Sequence, residues 1–444
     1  MEKIIPNTIF GEMRESDDLF LTDNSVEYTY TQVKERVKAY TFSMQRQGIL
    51  KCHRLALSGP NTVETWCFFL AAIRYCSVVC FPPGIPKEMF ERRGRDVLNV
   101  NYHVKIKDDG TFLYEFFHNQ PTRKTPGEYH FWWTSGTSSG TPMNDFAILD
   151  RFNYDKMELS IVGLKKALGD TPCKCINVNT PQNASTSEII IISYIFGGSV
   201  HLTSFEKIDE TLHKYKPKFF YSSPNCFKKV MKHMTKPYSL EKVVYYGAPL
   251  EPKTIEELKT KFDNPEVWCC FGITEHGWVC VGTEGQVVNS NFLGEPIHTE
   301  HGRPYIREDG RFCWEYPDGS IFESEDYVHE ENGIWYYDYR ADSIQQTSNG
   351  YKVYVEDVEH YYVKRFNLTD AYINVVDDVA SLYYVGIMPE HHKNIVREEI
   401  THKKLKSAIP TKYYQMDNIE FETVKVVRSK LPEMYDKFQL EQQK

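Results

Sequence analysis

The stretch FWWTSGTSSGTPM, which runs from Phe131 to Met143, is the most informative part of this sequence. Three aromatic residues with the character of a buried strand lead into a loop of small hydroxyl residues and glycine, which Pro142 ends. Such a loop can turn several backbone N–H groups and hydroxyls toward one point, and its small side chains let an anion approach closely. It lacks the Gly-Lys-Ser/Thr ending of a Walker loop. The pattern predicts a triphosphate site, with a flexible Ser/Gly linker as the alternative.

The composition is that of a globular protein with more than one domain. The chain has 444 residues, 41% of them hydrophobic and 25% charged, which is enough for two or more domains with sizeable cores. Its net charge of −9 argues against nucleic acid as the main partner, because phosphate backbones bind basic surfaces. The apolar runs are too short or too interrupted to span a bilayer, and the N-terminus lacks a signal-peptide pattern. We expect a soluble cytoplasmic protein with no membrane span.

The eleven cysteines are scattered along the chain. Two close pairs, Cys173 with Cys175 and Cys269 with Cys270, lack a second pair at zinc-finger spacing. The spacing therefore predicts free buried thiols in a reducing compartment.

Helix and strand patterns alternate through the first 260 residues. Arg54–Ser58, a helix from about 62 to 76 and Ser77–Phe81 form one predicted β-α-β unit. Similar pairs continue through the strand Lys242–Tyr246 to a helix at about 253–262. This alternation predicts an α/β fold with a doubly wound sheet covered by helices on both faces.

The pattern changes after about residue 290. Short aromatic strands follow, separated by the turns Asp309-Gly310, Asp318-Gly319 and Asn332-Gly333, which are typical of hairpins. The last hundred or so residues have the pattern of a compact α+β unit. The change predicts a domain boundary near residue 340, with an N-terminal domain at 1–339 and a C-terminal domain at 340–444.

Several stretches, in order and at consistent spacing, resemble the motifs of the adenylate-forming superfamily, which includes acyl-CoA synthetases, aryl-acid adenylating enzymes and luciferases. The central loop is similar to the family's phosphate loop YTSGTTGxPKG, and FGITE is similar to its aromatic-Gly-x-Thr-Glu motif. The stretches that carry the resemblance are EYTYTQV at 27–33, WTSGTSSGTPM at 133–143, YGAPL at 246–250, FGITE at 271–275, NFLGEP at 291–296, SED at 324–326, YRADS at 339–343 and GYKV at 350–353.

The chain also departs from the family pattern. The loop is one residue longer than usual, and Met143 replaces its lysine. The C-terminal lysine motif LPxTxxGK is LPEMYDK at 431–437, one residue short and without its glycine. PQNAS at 181–185 has no histidine where the family has HxxG. These departures leave open a degenerate relative that binds nucleotide, an acyl ligand or a partner without completing adenylation.

The resemblance implies a large N-terminal adenylating domain of doubly wound sheets with a distorted β-barrel-like subdomain. A small mobile α+β C-terminal domain would follow, turning about a hinge at Asp342. The implied reaction uses ATP and Mg²⁺ to join a small carboxylic acid to AMP. The acyl group then passes to coenzyme A or to the phosphopantetheine arm of a separate acyl carrier protein. A phosphoryl transferase using the same loop is a third hypothesis, which predicts ADP rather than AMP as product.

The resemblance also implies roles for individual residues. Thr274 would bond the α-phosphate, and Glu275 would hold Mg²⁺, a cation that prefers oxygen ligands. Asp326 would accept hydrogen bonds from the ribose hydroxyls, as an ionised carboxylate can, while Arg340 would donate to the ribose and phosphate side. The further nucleotide contacts implied are the loop residues Thr134, Ser135, Gly136, Thr137, Ser138, Ser139, Gly140 and Thr141, and the adenine-side residues Gly247, Ala248, Cys270, Phe271 and Gly272.

Lys437 is the candidate for a mobile lysine, on a flexible tail, that bridges the acid carboxylate and the α-phosphate. Lys430 is its competitor, because the motif around Lys437 is degraded.

The acid-binding pocket is predicted around Gln182, Asn183 and Tyr221, together with Gly247 and Gly272. Aryl-acid members of the superfamily have an asparagine near the position of Asn183, so a pocket amide here favours an aryl or hydroxylated acid. An equally good reading is that Asn183 caps the helix that starts nearby.

Overall fold

The computed structural model describes most of the chain. The described residues are 12–81, 83, 87–91, 98–117, 129–133, 146–150, 155–169, 173–181, 184–248, 250–273, 277–282, 291–299, 302–341, 344–346, 352–376, 379–400, 409–419 and 428–442. The chain divides into two compact units. Unit 1 comprises Met1–Thr134, Met143–Tyr246 and Leu258–Glu284, and unit 2 comprises Ser135–Pro142, Gly247–Glu257 and Gly285–Lys444.

The helices within these residues are α1 (Tyr30–Arg46), α2 (Val63–Tyr75), α3 (Lys87–Phe90), α4 (Asp155–Leu168), α5 (Ala184–Ile195), α6 (Ile208–Tyr215), α7 (Pro224–His233), α8 (Pro252–Lys261), α9 (Val355–Phe366), α10 (His392–Glu399) and α11 (Leu431–Gln442). A 3₁₀ turn at Arg428–Lys430 precedes α11.

The strands are β1 (Leu19–Thr22), β2 (Glu27–Thr29), β3 (Arg54–Ser58), β4 (Ser77–Phe81), β5 (Tyr102–Ile106), β6 (Phe112–Phe116), β7 (Tyr129–Trp133), β8 (Phe146–Asp150), β9 (Lys174–Asn177), β10 (Ser199–Leu202), β11 (Phe219–Ser222), β12 (Lys242–Tyr246), β13 (Glu266–Ile273), β14 (Gly277–Gly282), β15 (Phe292–Pro296), β16 (Arg303–Ile306), β17 (Arg311–Glu315), β18 (Ile321–Glu331), β19 (Ile334–Arg340), β20 (Ile344–Gln346), β21 (Lys352–Tyr354), β22 (Asp370–Val376), β23 (Val379–Val385) and β24 (Lys412–Met416).

The first sheet of unit 1 has the order β6-β5-β3-β4-β7-β8. Its strands β5, β3, β4 and β7 are parallel, and β6 and β8 close the two edges antiparallel. The connecting helix α2 begins at the N-cap Thr62, whose hydroxyl accepts from the backbone N–H of Thr65. Most of α2 is buried, including Trp66 and Phe68, as a crossover helix covered on several sides must be. The predicted β-α-β unit is therefore confirmed.

The second sheet of unit 1 contains the strands β14-β13-β12-β11-β9-β10-β1-β2 in that order. From β13 to β1 all neighbours run parallel, while β14 and β2 are antiparallel. The predicted α/β class is confirmed by these two mostly parallel sheets and their helices. The carboxyl ends of parallel strands meet at one edge of a sheet. Ser222 and Tyr246, the last residues of β11 and β12, therefore both lie at that edge.

Unit 2 contains an antiparallel sheet with the order β16-β17-β18-β19-β15. Its turns include Gly310, Gly319 and Gly333 with φ of 89°, 80° and 79°, a region that glycine enters without strain. The three hairpins predicted from Asp-Gly and Asn-Gly pairs are confirmed.

Unit 2 also contains the three-stranded sheet β22-β23-β24, against which α9 packs. The buried face of α9 includes Val355, Val358 and Tyr362, which share a core with Leu368 and Leu382. The domain boundary near residue 340 stays a prediction. Among the residues that the structure describes, no helix combines the length and the apolar character that crossing a membrane requires.

Candidate functional site

An acidic and a basic side chain face each other across two neighbouring strands of unit 2. Asp326 of β18 is the register partner of Arg340 of β19. The Nη1 atom of Arg340 donates to both carboxylate oxygens of Asp326, at 3.2 and 3.3 Å. The Asp326 side chain is only 6% exposed, whereas that of Arg340 is 25% exposed. A guanidinium beside a buried carboxylate compensates much of the cost of burying that charge.

The strands around this pair fix the position of the carboxylate. The Ser324 hydroxyl donates to the carbonyl of Phe312 at 3.0 Å and accepts from the backbone N–H of Asp326 at the same distance. The next pair along the ladder, Tyr327 and Tyr339, stacks with ring centroids 4.6 Å apart and 12° between planes. Asp326 is thus held at a set place by its own strand.

Three aromatic residues form a cluster in unit 1, near the carboxyl ends of β11 and β12. The rings of Tyr221 and Tyr246 lie 4.5 Å apart, and the indole of Trp278 lies 5.9 and 5.6 Å from them. All three are at most 4% exposed. The indole Nε1 of Trp278 has no hydrogen-bond partner in the described part of the chain, although buried donors of this kind are normally paired.

Gly272 is required by the close approach of β13 and β14. It pairs in register with Trp278, beside an irregularity between Phe271 and Gly272. A Cβ at this position would lie 2.4 Å from the carbonyl oxygen of Gly277 and 2.7 Å from Cε3 of Trp278. Only glycine lets the indole lie where it does.

Polar groups border the aromatic cluster. Ser222 is fully buried, and its hydroxyl accepts from the Nδ2 of Asn179 at 3.4 Å. Burial raises the pKa of the Tyr246 hydroxyl. The neighbouring hydroxyls of Thr186 and Ser222 lower that pKa, but the effect of burial is larger. The phenol therefore stays protonated and available as a donor.

Cys269 and Cys270 lie side by side on β13 within unit 1. Burial raises the pKa of Cys269 to about 12 and also raises that of Cys270. Both thiols therefore stay protonated, which makes them poor nucleophiles. All eleven cysteines of the chain are free, and all except Cys52 are buried, which confirms the prediction of free buried thiols.

Lys437 lies on a helix in the C-terminal segment. The structure has helix α11 around Lys437 where the sequence analysis placed a tail, and the mobile-lysine role of Lys437 stays a prediction. Leu431, Met434, Tyr435 and Phe438 repeat at helical spacing and pack on one core, which drives the helix. Lys437 is exposed on its flank.

A family model described as AMP-binding enzyme matches residues 183–310, the part that contains the aromatic cluster. This match, the motif order and the fold all resemble those of the adenylate-forming superfamily, and in particular of its acyl-CoA synthetases.

Several proteins of the superfamily resemble this chain over nearly its whole length. A 2-succinylbenzoate–CoA ligase of Staphylococcus epidermidis is 26% identical, with 93% of this chain and 94% of the relative covered. The solved o-succinylbenzoate CoA synthetase of Bacillus subtilis, in complex with its acyl-adenylate intermediate, has a TM-score of 0.71 at 15% identity, covering 93% and 95% of the two chains. The amide bond synthetase McbA of Marinactinospora thermotolerans has a TM-score of 0.68 at 16% identity, covering 93% and 95%. At these identities the two structures show a shared fold.

The remaining superfamily positions divide into three groups. Gly247 and Ala248 belong to unit 2, and Gly247 has a φ of 80°, while Tyr221, Cys270, Phe271 and Gly272 belong to unit 1. The following predicted residues lie outside the described part of the chain: Thr134, Ser135, Gly136, Thr137, Ser138, Ser139, Gly140, Thr141, Gln182, Asn183, Thr274, Glu275 and Asp342.

Trp278 completes the aromatic cluster, and the superfamily motifs did not indicate it. It lies beyond the aromatic-Gly-x-Thr-Glu stretch and reaches the cluster because β14 folds back on β13. The signal in the sequence is a glycine shortly before a tryptophan, and it becomes readable only once their register is known.

Proposed function

We propose that this chain is an ATP-dependent ligase that activates a carboxylic acid as an acyl-AMP and transfers the acyl group to a thiol. The observation that carries the proposal is the buried Asp326 carboxylate on the Arg340 guanidinium, at the positions where the superfamily binds ribose and phosphate. The similarity to a CoA ligase over 93% of the chain supports the same reaction.

The proposed chemistry has two balanced steps. In the first, a carboxylate oxygen attacks the α-phosphorus of ATP, and the bond to pyrophosphate breaks. In the second, a thiol attacks the acyl carbonyl, and AMP leaves while the thiol proton is lost. Two anions meet in the first step, so the site must neutralise charge and hold the reactants in line.

The candidate residues would contribute to this reaction in different ways. The Asp326 carboxylate accepts from the ribose hydroxyls, and Arg340 holds that carboxylate and donates toward the phosphate side. Thr274 stays the proposed α-phosphate donor and Glu275 the proposed Mg²⁺ ligand, which would supply positive charge beside the phosphates. The loop 134–141 stays the proposed cradle of the β- and γ-phosphates.

The substrate class is proposed to be an aryl acid with a polar substituent. Tyr221, Tyr246 and Trp278 offer ring faces. The indole N–H of Trp278, which has no partner among the described residues, and the Tyr246 hydroxyl offer donors to an oxygen on the substrate. The acid named for the Staphylococcus epidermidis relative is a substituted benzoate, which supports the same class. Gln182 and Asn183 are proposed to border this pocket.

Coenzyme A is the proposed acceptor, because the relatives are named as CoA ligases. Phosphopantetheine on a separate carrier protein has the same thiol arm, and it stays a finer alternative. The proposed division of labour places nucleotide and acid binding at 1–339 and a mobile domain at 340–444 with its hinge at Asp342.

A competing function, nucleotide or acyl binding without adenylation, is favoured by the location of Lys437 on a helix instead of a tail. ATP–pyrophosphate exchange across benzoates, hydroxybenzoates and short acyl acids separates the two. We expect acid-dependent exchange with AMP as product for an aryl acid, followed by thioester formation with coenzyme A. ATP binding with no exchange for any acid would leave the binding function, and ADP as product would indicate a phosphoryl transferase.

A further inference from the structure

A buried ion pair connects the C-terminal segment of unit 2 to helix α9. Arg428, in the turn before α11, donates from Nε to Oε1 of Glu359 at 2.8 Å and from Nη2 to Oε2 at 2.7 Å. The two side chains are only 16% and 10% exposed. Oε1 of Glu359 also accepts from the backbone N–H of Ile373 at 2.6 Å. The carboxylate is therefore fixed by three donors, and the guanidinium can occupy only one orientation on it.

The contacts continue from this pair to strand β19. Glu356, one helical turn before Glu359, lies 3.6 Å from Nη2 of Arg428. Its other oxygen accepts from the Tyr337 hydroxyl at 3.0 Å. Tyr337 lies on β19 three residues before Arg340, the partner of the proposed ribose carboxylate. A continuous chain of polar contacts thus connects the C-terminal turn to the strand that carries Arg340.

The protonation states within this network are set by its surroundings. Burial raises the pKa of Tyr337, and the charge of Glu356 adds to that, so the phenol remains a donor. Desolvation opposes the charge of Arg428, but the carboxylates of Glu359 and Glu356 raise its pKa, so the guanidinium remains charged. Burial raises the pKa of the Glu359 carboxyl, and the charge and hydrogen bonds of Arg428 oppose that rise.

Stability alone is a poor reason to keep such a pair. Burying two charges costs free energy that their attraction repays only when the geometry is very good, and apolar replacements of similar volume are often neutral or stabilising. What a two-pronged guanidinium–carboxylate bond adds is a defined orientation. Here the bidentate bond orients the turn that contains Lys430 and leads into α11, the helix that contains Lys437.

We infer that Arg428 is a positioning residue for the proposed adenylation: through Glu359, Glu356 and Tyr337 it holds the C-terminal lysine segment in place relative to the strand of Arg340. The inference rests on the proposed function. A misplacement of about 1 Å in a reacting group can cost roughly 100-fold in rate. Loss of the network should therefore slow the first half-reaction while leaving the binding of ATP and acid largely as it was.

Two substitutions and a matched control test this inference in the full-length protein. Arg428→Lys keeps the charge but cannot form both prongs, and Tyr337→Phe removes only the contact to β19. We expect each to lower the maximal rate of pyrophosphate exchange, by up to roughly 100-fold for Arg428→Lys, with KM values within about threefold of wild type. The control is Arg365→Lys, because Arg365 near the end of α9 likewise forms a bidentate bond to a glutamate, Glu399, but on the surface. It should leave the rate unchanged.

A second measurement keeps the result independent of activity and of partial unfolding. Amide hydrogen exchange should show faster exchange of residues 428–442 in Arg428→Lys and Tyr337→Phe, but not in the control, with the rest of the chain unchanged. Normal rates in both variants, or rates that fall only as far as the folded fraction does, would overturn the inference. Wild-type protein without exchange activity on any acid would instead refute the proposed function. Unchanged protection of 428–442 would then reject the anchoring as well.

Discussion

Replacing Asp326 by asparagine tests whether the buried carboxylate serves the nucleotide. The substitution keeps the size and the acceptor oxygen of the side chain but removes the negative charge that Arg340 pairs with. Since Asp326 is almost fully buried and Arg340 is a quarter exposed, the lost stability should lie between that of surface and buried pairs, at about 2 kcal/mol. The protein should therefore still fold, with a lowered melting temperature.

The effect on ATP use should be larger than this loss. A hydrogen bond to a charged group contributes about 1.5–3 kcal/mol, against about 0.5–1.5 kcal/mol for a neutral one. If Asp326 accepts from two ribose hydroxyls, neutralising it costs about 2–3 kcal/mol. At about 1.4 kcal/mol per tenfold, kcat/KM for ATP should fall roughly 30- to 150-fold.

The assay is pyrophosphate exchange over a range of ATP concentrations, with the folded fraction measured by thermal unfolding at the assay temperature. Asp338→Asn is the matched control, because Asp338 lies on the neighbouring strand β19 and pairs with His329 at 2.6 Å instead of with Arg340. It should leave kcat/KM for ATP within about threefold. A value that stays near wild type in Asp326→Asn too would refute the placement of the ribose on this carboxylate.

Three further outcomes follow from the described geometry. Gly272→Ala should push the indole of Trp278 out of the aromatic cluster, because the added Cβ would lie 2.7 Å from that ring. We expect tryptophan fluorescence to be quenched or shifted. The KM for the acid should rise more than the KM for ATP. Lys437→Ala should abolish exchange while ATP affinity, measured by calorimetry, stays; exchange lost only in Lys430→Ala would transfer the role to that residue. Burial lowers the pKa of His103 from 6.5 to about 3, so between these values the unfolded chain binds a proton that the folded one excludes. Stability should therefore fall with falling pH, by up to about 1.4 kcal/mol per pH unit from this group, and denaturant midpoints of wild type and His103→Gln between pH 7 and 4 should converge on acidification.

Some buried elements of the fold could be predicted from the sequence alone. The helix α7 starts at Pro224, where a proline suits the first turn, and in the strand Lys242–Tyr246 one lysine leads into an apolar run of ordinary strand length. The hairpin of Tyr102–Ile106 and Phe112–Phe116 was missed. Its strands mix buried aromatics with lysine, histidine and glutamate, so neither a helical nor a strictly alternating pattern stands out.

The acidic stretch on β18 shows where residue type is insufficient. Glu323, Glu325 and Asp326 are all carboxylates, and charge gives no reason to prefer one. The structure alternates them: Glu323 and Glu325 are exposed, whereas Ser324 and Asp326 are buried, as the two-residue period of a strand requires. The motif order singles out Asp326 among these carboxylates, but its pairing with Arg340 depends on a register between strands that no single-sequence pattern contains.

The C-terminal lysine segment shows two sequence patterns in competition. By motif order, Lys437 replaces the lysine of a glycine-containing loop, but Asp436 occupies the position of the glycine. Without that glycine, nothing opposes the apolar spacing from Leu431 to Phe438, and the segment is free to pack as an amphipathic helix. The same loss of flexibility makes the orientation of the whole segment depend on what holds its first turn. Arg428 holds that first turn through its ion pair with Glu359. A residue outside the lysine motif should therefore control how well either lysine can reach the reacting groups.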